Sequence, residues 1–445
     1  MSITKSKEGL KRVIGIGGLA LAIVNGTMGA GIFVLPGIVG LELGAFAVFG
    51  YIFCSIMMAA IMLCYAEIGT RITTSGGSYA YVEAAFGKFP GYIINWLYFF
   101  GWGILGSAAL MNIIADSLSL VFPVFANQVI RIVFFFVLIG FMILINVRGT
   151  KQGIGFVKII TVVKLLPLLC IIVFGLKLVK VDNLFWEQVP ALPIFSHTVF
   201  ILFFAFAGFE TSLGVSGELK NPKRTIPLGI LSGGIIILIV YMLLQMVTQG
   251  ILGGDIGIFK DAPLAAVAQK IAGPLGATLL LATAAISCFG AVGADVLATP
   301  RSLFAGALDG TFPKFLGKVH PKFATPYLAV ITYGTLIFIF SVSGGFKQLA
   351  IMASAAILFI YLAVILSTIE MRRKKTDKTE NIFIIPLGLT IPFIGIATIV
   401  WLLTSLSKWE ILSTIIFIAV ISIIYFATQW MKSRNIIAVG LPGIK

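Results

Sequence analysis

The sequence predicts an all-α membrane protein whose chain crosses the bilayer twelve times. Composition is the first observation: 59% of the 445 residues are hydrophobic and 11% are charged, and the mean hydropathy is +1.09. Soluble domains carry about 25% charged residues, so a soluble protein is excluded. The second observation is that apolar runs of about 20 residues, the length that a membrane helix needs, recur along the chain. Helices are expected because lipid leaves every backbone polar group to be bonded within the segment.

Charged or Pro/Gly-rich gaps divide the chain into twelve candidate spans. They comprise residues 13–41, 45–68, 89–115, 129–147, 153–176, 198–217, 227–252, 276–298, 327–342, 349–369, 382–403 and 411–431. An even number of spans places both termini on one side of the membrane. Most of the 32 lysines and arginines lie on that side, which identifies it as cytoplasmic. The same rule explains the net charge of +15 without a nucleic-acid partner, and we expect the protein in the cell membrane.

The first span contains an unusual stretch from Asn25 to Pro36. Gly26, Gly29 and Gly31 lie near the middle of the apolar run, and each glycine costs a helix about 1 kcal/mol relative to alanine. An interruption of the helix at mid-membrane is therefore predicted. Irregular backbone is tolerated at this depth only where it is buried in protein or lines a cavity, so the stretch is a candidate binding site.

The sixth span repeats this feature, since Gly208 and Glu210 lie near the centre of its apolar run. Interrupted helices at corresponding places in two halves indicate an inverted repeat. The predicted organisation is a cytoplasmic tail at residues 1–12, a first repeat of five spans at 13–180, a second repeat of five spans at 196–370, a basic cytoplasmic loop at 371–381, two further spans at 382–431 and a cytoplasmic tail at 432–445.

The ends of two interrupted helices offer opposite partial charges. Free N–H groups near Ala30 and Gly31, at the start of the second half of span one, suit a carboxylate. Carbonyl groups near Phe204 and Ala207, at the end of the first half of span six, suit an ammonium group. Together these groups fit an amino acid. The alternative is that the glycines only permit close helix packing, and a dinucleotide-binding loop is disfavoured because the glycines follow no strand.

Two ionisable residues lie deep within the spans, and such residues are functional candidates by default. Lys164 lies near the midplane of span five, where removal from water disfavours its ammonium form. It is a candidate to exchange a proton during transport or to replace a stabilising sodium ion. The alternative is a structural lysine that caps carbonyls of the broken helix. Glu210 is a candidate gate that hydrogen-bonds the interrupted segment, and a purely structural role is its alternative.

Other polar residues give weaker signals. Asp295 in span eight is expected to pair with Arg301, whereas Glu67 and Asp116 lie near helix ends, where contact with solvent is expected. The chain has two histidines and four cysteines, and the cysteines lie in apolar runs without metal-ligand spacing. We therefore expect no cofactor, no metal site, no disulfide framework and no enzymatic activity.

Three parts of the sequence resemble one family of transporters. They are Gly29-Ala30-Gly31-Ile32-Phe33 followed by Pro36, the stretch from Phe206 to Glu210 continued from Glu218 to Pro227, and Thr299-Pro300-Arg301-Ser302-Leu303 with the loop from Asp309 to Pro326. On these residues the chain is similar to the amino acid, polyamine and organocation (APC) transporters, and the likeness extends at least from Gly15 to Trp430.

The resemblance implies a LeuT-like fold of five plus five inverted repeats and transport by alternating access. It implies that Ala30 and Gly31 meet the carboxylate of an amino acid, and that carbonyls of Thr27, Phe204 and Ala207 meet its amino group. The substrate-binding residues implied in this way are Thr27, Met28, Gly29, Ala30, Gly31, Phe204, Ala207 and Gly208.

Phe204 takes the position of an aromatic gate in this family, and Lys164 matches a lysine of proton-coupled, sodium-independent members. The sequence departs from the family at two places. Gly217-Glu218 stands where two glutamates are common, and Ala30 stands where a serine is common, which leaves carboxylate binding to backbone N–H groups. Glu210 is the only acidic candidate to neutralise a cationic side chain, so neutral amino acids are favoured.

The predicted function is a secondary active permease that takes up neutral amino acids, either coupled to protons through Lys164 or running as an exchanger. A cationic amino acid or polyamine antiporter stays open as an alternative. From another class, so does a non-transporting membrane receptor for amino acids. The expected partners are an amino acid, protons and the lipid bilayer.

Overall fold

The computed structural model describes residues 12, 14–29, 31–73, 76–148, 154–186, 188–213, 216, 219–308, 312–323, 325–374 and 382–439. Within these residues the protein is helical, and an isolated backbone bridge joins Ile14 to Leu219. At this bridge the N–H of Lys220 donates to the carbonyl oxygen of Ile14 at 2.8 Å. The all-α class predicted from composition is confirmed for the described chain.

Fifteen α-helices follow one another along the described residues. They are α1 Ile16–Thr27, α2 Gly31–Leu43, α3 Ala47–Arg71, α4 Ser78–Phe86, α5 Lys88–Trp96, α6 Leu105–Val121, α7 Gln128–Arg148, α8 Ile154–Gly175, α9 Leu192–Phe206, α10 Pro222–Leu252, α11 Pro263–Leu308, α12 Tyr327–Ser343, α13 Phe346–Arg373, α14 Thr390–Leu403 and α15 Lys408–Val439. A π-helical segment, Leu97–Ile104, makes α5 and α6 one continuous rod.

Eight helical stretches of the described chain are long and apolar enough to cross a membrane. The helices α1, α12 and α14 are also apolar but shorter. Large apolar side chains on the outer helices are exposed, such as Phe136 of α7 and Ile423 of α15, as expected of surfaces that face lipid. The chain is therefore a multi-pass membrane protein.

Several elements differ from the sequence prediction. Span eleven was expected from residue 382, but α14 begins at Thr390 because Leu387 and Gly388 have φ angles of 60° and 62°, outside the right-handed helical region. The short helix α4 was not predicted. The helix α11 consists of two helical parts joined by a kink at Ala272 and Gly273, where the φ of Gly273 is 69°; the part before the kink was not predicted, and the part after it contains the predicted span.

The two predicted interruptions are present. The helix α1 ends at Thr27 and α2 begins at Gly31, while Ala30 lies outside the described residues. The helix α9 ends at Phe206, and a 3₁₀ turn, Phe209–Leu213, follows after Gly208. The Gly217-Glu218 pair and the side chain of Lys158 also lie outside what the structure describes.

Packing brings the two interrupted elements together in the centre of the molecule. The helix α1 packs against α10 and against the 3₁₀ turn after α9, and α2 packs against α9. The helices α3 and α10 pack against each other and cover the broken pair on one side. The breaks are consequently buried in protein. Non-helical backbone within the membrane is tolerated in this setting because it does not face lipid.

Glu67 near the end of α3 is fully buried, so the expectation that it contacts solvent is wrong. Its Oε1 accepts from Arg71 at 2.9 Å and from Arg372 Nε at 2.7 Å, and Arg372 also donates to Oε2. The backbone N–H of Ile385 reaches Oε2 at 3.0 Å. This cluster joins α3, α13 and the segment before α14, and two arginines compensate the buried charge.

Asp295 of α11 does not pair with Arg301. Its Oδ2 accepts hydrogen bonds from Ser107 of α6 at 2.7 Å and from the Tyr333 hydroxyl of α12, and its Oδ1 accepts from Thr299 at 2.6 Å. Arg301 donates instead to a backbone carbonyl one turn earlier in its own helix. The predicted pairing is wrong because three neutral hydroxyls already donate to the carboxylate, two of them from neighbouring helices and one from Thr299 of α11 itself.

Asp116 at the end of α6 is about half exposed and pairs with Arg131 of α7, with Asp116 Oδ1 and Arg131 Nη1 2.6 Å apart. Arg131 also donates to Asn112 Oδ1 at 2.9 Å. The side-chain amide of Asn112 in turn donates to the carbonyls of Ser341 and Gly344, where α12 turns into α13. The expected contact of Asp116 with solvent is thus confirmed, and its ion pair with Arg131 also joins α6 to α7.

Candidate functional site

The candidate site lies where the two breaks touch. A Cβ atom on Gly26 would lie 3.0 Å from the carbonyl oxygen of Gly208, which is tighter than ordinary van der Waals contact. Gly208 itself has a φ of 110°, a conformation that side chains rarely adopt. Glycine is therefore needed at both positions, and the two interrupted chains approach each other through backbone alone.

The start of α2 lies against the end of α9. A Cβ atom on Gly31 would lie 3.2 Å from Cα of Ala205. The first N–H groups of a helix have no partner within it and carry partial positive charge, and the last carbonyls carry partial negative charge. The first turn of α2 holds no acidic side chain that would cap these donors. Donors and acceptors suited to opposite charges thus lie next to each other inside the bundle.

Glu210 accepts a hydrogen bond from the backbone at the second break. In a continuous helix the Gly208 N–H would donate to the carbonyl of Phe204, but here it donates to Glu210 Oε2 at 3.0 Å. The same oxygen accepts from the hydroxyl of Tyr361 on α13 at 2.5 Å. Glu210 is 2% exposed, and its other oxygen, Oε1, has no partner. The predicted hydrogen bond between Glu210 and the interrupted segment is confirmed, and it frees the Phe204 carbonyl.

An aromatic cluster closes one end of the site around Glu210. The rings of Tyr65 and Phe209 have centroids 5.0 Å apart, and the ring of Tyr361 lies 5.6 Å from Tyr65 and 5.5 Å from Phe209. The hydroxyl of Tyr65 bonds to Ser78 at the start of α4 at 2.7 Å. All three rings are fully buried, so the break after α9 is sealed on this side.

Phe204 packs among aromatic rings on the other side of the break. Its ring centroid lies 5.7 Å from that of Trp102 in the π-helical segment and 5.8 Å from that of Phe346 on α13. Phe204 is 6% exposed. The ring predicted as a gate thus lies between two other elements, the π-helical segment and α13, and both would have to release it for the site to open there.

Lys164 of α8 reaches the end of α1. Its Nζ donates to the carbonyl oxygens of Asn25 at 2.6 Å and of Met28 at 2.9 Å, and the side chain is 2% exposed. Asn25 lies in the last turn of α1, whose carbonyls lack partners within the helix, and Met28 is the residue directly after the helix. Lys164 therefore caps the broken helix, as the structural alternative requires, and its roles in proton exchange and in replacing a sodium ion stay predictions.

Tyr241 of α10 was not predicted from the sequence. Its hydroxyl donates to the carbonyl of Ala205 at 2.9 Å and to that of Thr27 at 3.2 Å. The Thr27 carbonyl also accepts from the N–H of Gly29 at 2.7 Å, so both of its acceptor positions are filled. Thr27 Oγ1, by contrast, is buried without a partner and is the atom of this residue that is left for a ligand.

Sequence reasoning thus located the two breaks and the charged residues, but it missed their aromatic and hydroxyl partners. Tyr241, Tyr361 and Trp102 lie in spans where tyrosine and tryptophan look like ordinary apolar residues. The signal in the sequence was the position of each tyrosine within its span, because a hydroxyl far from both ends of a membrane span needs a hydrogen-bond partner. Ala30, a predicted carboxylate-binding residue, lies outside the described chain.

The arrangement suits reversible binding of a small zwitterion. The N–H groups at the start of α2 offer donors, and the carbonyls of Phe204 and Ala207 offer acceptors. Over the residues that the structure describes, no group of three His, Cys, Asp or Glu is arranged to hold a metal ion. All four cysteines are free thiols.

Comparisons with known proteins agree with a transport site. A family model described as amino acid permease matches residues 14–441. The serine/threonine exchanger SteT of Bacillus subtilis (strain 168) is 29% identical, with 88% of this chain and 90% of the relative aligned. The methylthioribose transporter of the same organism is 26% identical over 96% and 95% of the two chains. The branched-chain amino acid permease BcaP of Bacillus subtilis (strain 168) is 25% identical, with 98% of this chain and 96% of the relative aligned.

Proposed function

Because this chain belongs to the amino acid permease family of the APC superfamily, we propose that it carries a neutral amino acid across the cell membrane by alternating access. The observation that carries the proposal is the contact between the start of α2 and the end of α9, at two helix breaks buried in the bundle. The named relatives that align over nearly their whole lengths are transporters, two of them for amino acids.

In this proposal the substrate bridges the two helix ends. Its carboxylate accepts from the N–H of Gly31 and its neighbours at the start of α2, with Ala30 contributing from outside the described residues. Its ammonium group donates to the carbonyls of Phe204 and Ala207. Met28, Gly29 and Gly208 shape the backbone around it, and Thr27 Oγ1 supplies a further hydrogen bond. Two charged groups held by fixed dipoles define an α-amino acid whatever its side chain is.

A neutral side chain is proposed because the carboxylate nearest to the break is not accessible to a bound cation. Glu210 is 2% exposed, its Oε2 already accepts from Gly208 and Tyr361, and its unpaired Oε1 is itself buried. A lysine or arginine side chain entering the site would need an accessible carboxylate to offset its desolvation. The relatives named for serine, threonine and branched-chain amino acids support the same choice.

The proposed architecture has twelve spans in a LeuT-like arrangement with both termini in the cytoplasm. The first repeat, residues 13–180, comprises α1 to α8, and the second, residues 196–370, comprises most of α9 through α13. The two tails at 1–12 and 432–445 and the basic loop at 371–381 lie in the cytoplasm, and 382–431 holds the last two spans. Glu210 and its aromatic cluster act as the gate on the cytoplasmic side, and Phe204 acts as the gate on the other.

Lys164 links transport to protons in this proposal. As an ammonium group it holds the Asn25 and Met28 carbonyls and keeps the end of α1 against α8. Loss of one proton would remove the charge that strengthens both hydrogen bonds, and α1 would be freed to move. A variant of the mechanism is the exchange of one amino acid for another, which needs no net proton movement. The name of SteT describes that protein as an exchanger.

The test is uptake of tritiated L-serine and L-leucine into proteoliposomes. Three conditions are compared: no gradient, an inward proton gradient, and vesicles preloaded with the same unlabelled amino acid. Stimulation by the proton gradient supports coupled uptake, and stimulation only by preloading supports exchange. Uptake of neither amino acid under any condition, from vesicles that hold folded protein, would contradict the proposed function.

A further inference from the structure

Gln245 lies on α10 with its side-chain amide buried and unpaired. The residue is 0% exposed, and neither its Nε2 nor its Oε1 has a hydrogen-bond partner within the described residues. A buried amide without a partner costs free energy, because the hydrogen bonds that it made to water are lost on folding and nothing replaces them. Buried polar groups are generally bonded to protein or to ordered water, so a partner is expected for this side chain.

The contacts of α10 with the first broken helix show what faces Gln245. On one side of it, the Tyr241 hydroxyl donates to the carbonyl of Thr27, the last residue of α1. About two turns further along α10, Gln249 meets α2, since a Cβ atom on Gly40 would lie 3.2 Å from Gln249 Oε1. The first broken helix and α10 therefore run in the same direction, and Gln245 lies between these two contacts.

The residue of α2 at the height of Gln245 is Pro36. Gln245 precedes Gln249 by one helical turn, about 6 Å, on the same face of α10. Pro36 precedes Gly40 by one turn on the same face of α2, and both residues are buried. Because the two helices run in the same direction, one turn back from the contact between Gly40 and Gln249 leads to Pro36 on α2 and to Gln245 on α10.

Pro36 leaves a carbonyl of α2 without its helical partner. A proline inside a helix has no N–H for the carbonyl four residues earlier, and here that carbonyl belongs to Ile32. Ile32 is 0% exposed, so the bulk solvent does not reach it. The amide of Gln245 could donate to this carbonyl, yet no direct hydrogen bond joins them. Polar groups that face each other beyond direct reach are commonly bridged by water.

We propose that Gln245 holds ordered water between α10 and α2, and that one water molecule bridges its amide N–H to the Ile32 carbonyl. This water accepts from Nε2 and donates one hydrogen to the carbonyl. Its second hydrogen has an acceptor in Gln249 Oε1, which is also buried and unpaired on the same face of α10. A buried water typically has about three such partners. The kink at Pro36 is thus joined to α10 through water, in addition to the proposed function.

Radiolytic labelling in water enriched in oxygen-18 tests whether the water is present. A short X-ray pulse makes hydroxyl radicals from ordered water as well as from the solvent, so a buried side chain is oxidised where water lies beside it. We expect oxygen-18 at Leu35 or Pro36, which are both buried, and a yield about threefold lower in Gln245→Leu. Absence of the label from both residues in the unsubstituted protein would overturn the inference, and so would an equal yield in the variant.

A double-mutant cycle tests the bridge to Ile32. Gln245→Leu should lower the melting temperature in detergent, because the water loses its donor and the Ile32 carbonyl loses its partner. Pro36→Ala supplies the missing N–H within α2, so Gln245→Leu should cost less than half as much in its background. Ser354→Ala on α13 is the matched control, since that hydroxyl is also fully buried and unpaired. Its effect should be the same with and without Pro36→Ala.

The sign of the melting-temperature shift separates a hydrated amide from a dry one. A dry, unpaired amide costs stability, so its replacement by leucine would raise the melting temperature, and that result would overturn the inference. Equal shifts for Gln245→Leu with and without Pro36→Ala would mean that the Ile32 carbonyl is not bridged, which overturns it as well. These measurements need purified protein and no transport, so the inference and the proposed function can fail independently of each other.

Discussion

Gly208 and Gly26 meet so closely that a Cβ atom on Gly208 would lie 2.7 Å from the Gly26 carbonyl oxygen. The contact joins the last turn of α1 to the break that follows α9. It is made by backbone from two distant parts of the chain, and any side chain at either position would push the breaks apart. A substitution at this contact therefore tests directly whether the two breaks act as one unit.

Gly208→Ala should separate the breaks. The added methyl group meets a backbone oxygen, and the φ of 110° is strained for alanine, at a cost of about 1–3 kcal/mol. We expect a lower melting temperature in detergent and loss of most amino acid uptake. Gly106→Ala in α6 is the control, because its Cβ would meet nothing within 4 Å and alanine favours a helix by up to about 1 kcal/mol. Equal uptake by the two variants would contradict the contact's importance.

Lys164→Ala should abolish stimulation of uptake by an inward proton gradient. The substitution removes the donor for the Asn25 and Met28 carbonyls and leaves two buried acceptors unpaired, at about 1–3 kcal/mol each. The protein should still fold, as size-exclusion chromatography would report. Lys177→Ala is the control, since that lysine lies on an exposed segment after α8. Normal gradient dependence in the Lys164 variant would refute the coupling role.

Glu210→Gln and Tyr361→Phe should not have additive effects. Both substitutions weaken the same hydrogen bond, and Glu210→Gln also weakens the bond from Gly208. We expect each variant to lower uptake and the double variant to lower it little further than Glu210→Gln alone. The coupling is measured as a double-mutant cycle on KM and on the maximal rate. Additive losses would mean that the two residues serve the transporter separately.

Glu67→Gln should strongly destabilise the protein. Breaking a buried ion pair by removing one charge costs about 3–5 kcal/mol, and a value near the lower end is expected because Arg71 and Arg372 are 15% and 17% exposed. The melting temperature in detergent should fall clearly. Glu370→Gln on α13 is the control: its contact with Arg373 spans 3.9 Å and the arginine is 84% exposed, so the change should be below about 1 kcal/mol. Matching melting temperatures would show that the buried cluster is not structural.

The sequence was most informative where composition and glycine placement act locally. Low charge content and apolar runs predicted the helical membrane class, and glycines in otherwise apolar runs predicted both interruptions. A mid-span lysine and glutamate were correctly identified as residues that touch those interruptions. These features follow from the cost of glycine and of charge in a membrane helix, which does not depend on tertiary packing.

Partners from distant helices could not be read from the chain. Asp295 takes its hydroxyl donors from α6 and α12, and Glu67 takes an arginine from α13, so their local neighbours were misleading. Tyr241 shows the same limit, because its acceptors lie 36 and 214 residues away in sequence. The positions of such partners are set by helix packing, and the sequence pattern of one helix carries little information about them.

The central claim is that two helix breaks hold both charged groups of an amino acid. It is tested most directly by competition for binding of a tritiated neutral amino acid that the protein transports, such as L-leucine, to the purified protein in detergent. Unlabelled L-leucine should displace the label, whereas isopentylamine, which lacks the carboxylate, and 4-methylpentanoate, which lacks the amino group, should fail at a hundredfold excess. Displacement by either analogue at the concentration that suffices for L-leucine would contradict the claim, because one of the two helix ends would then contribute nothing to binding.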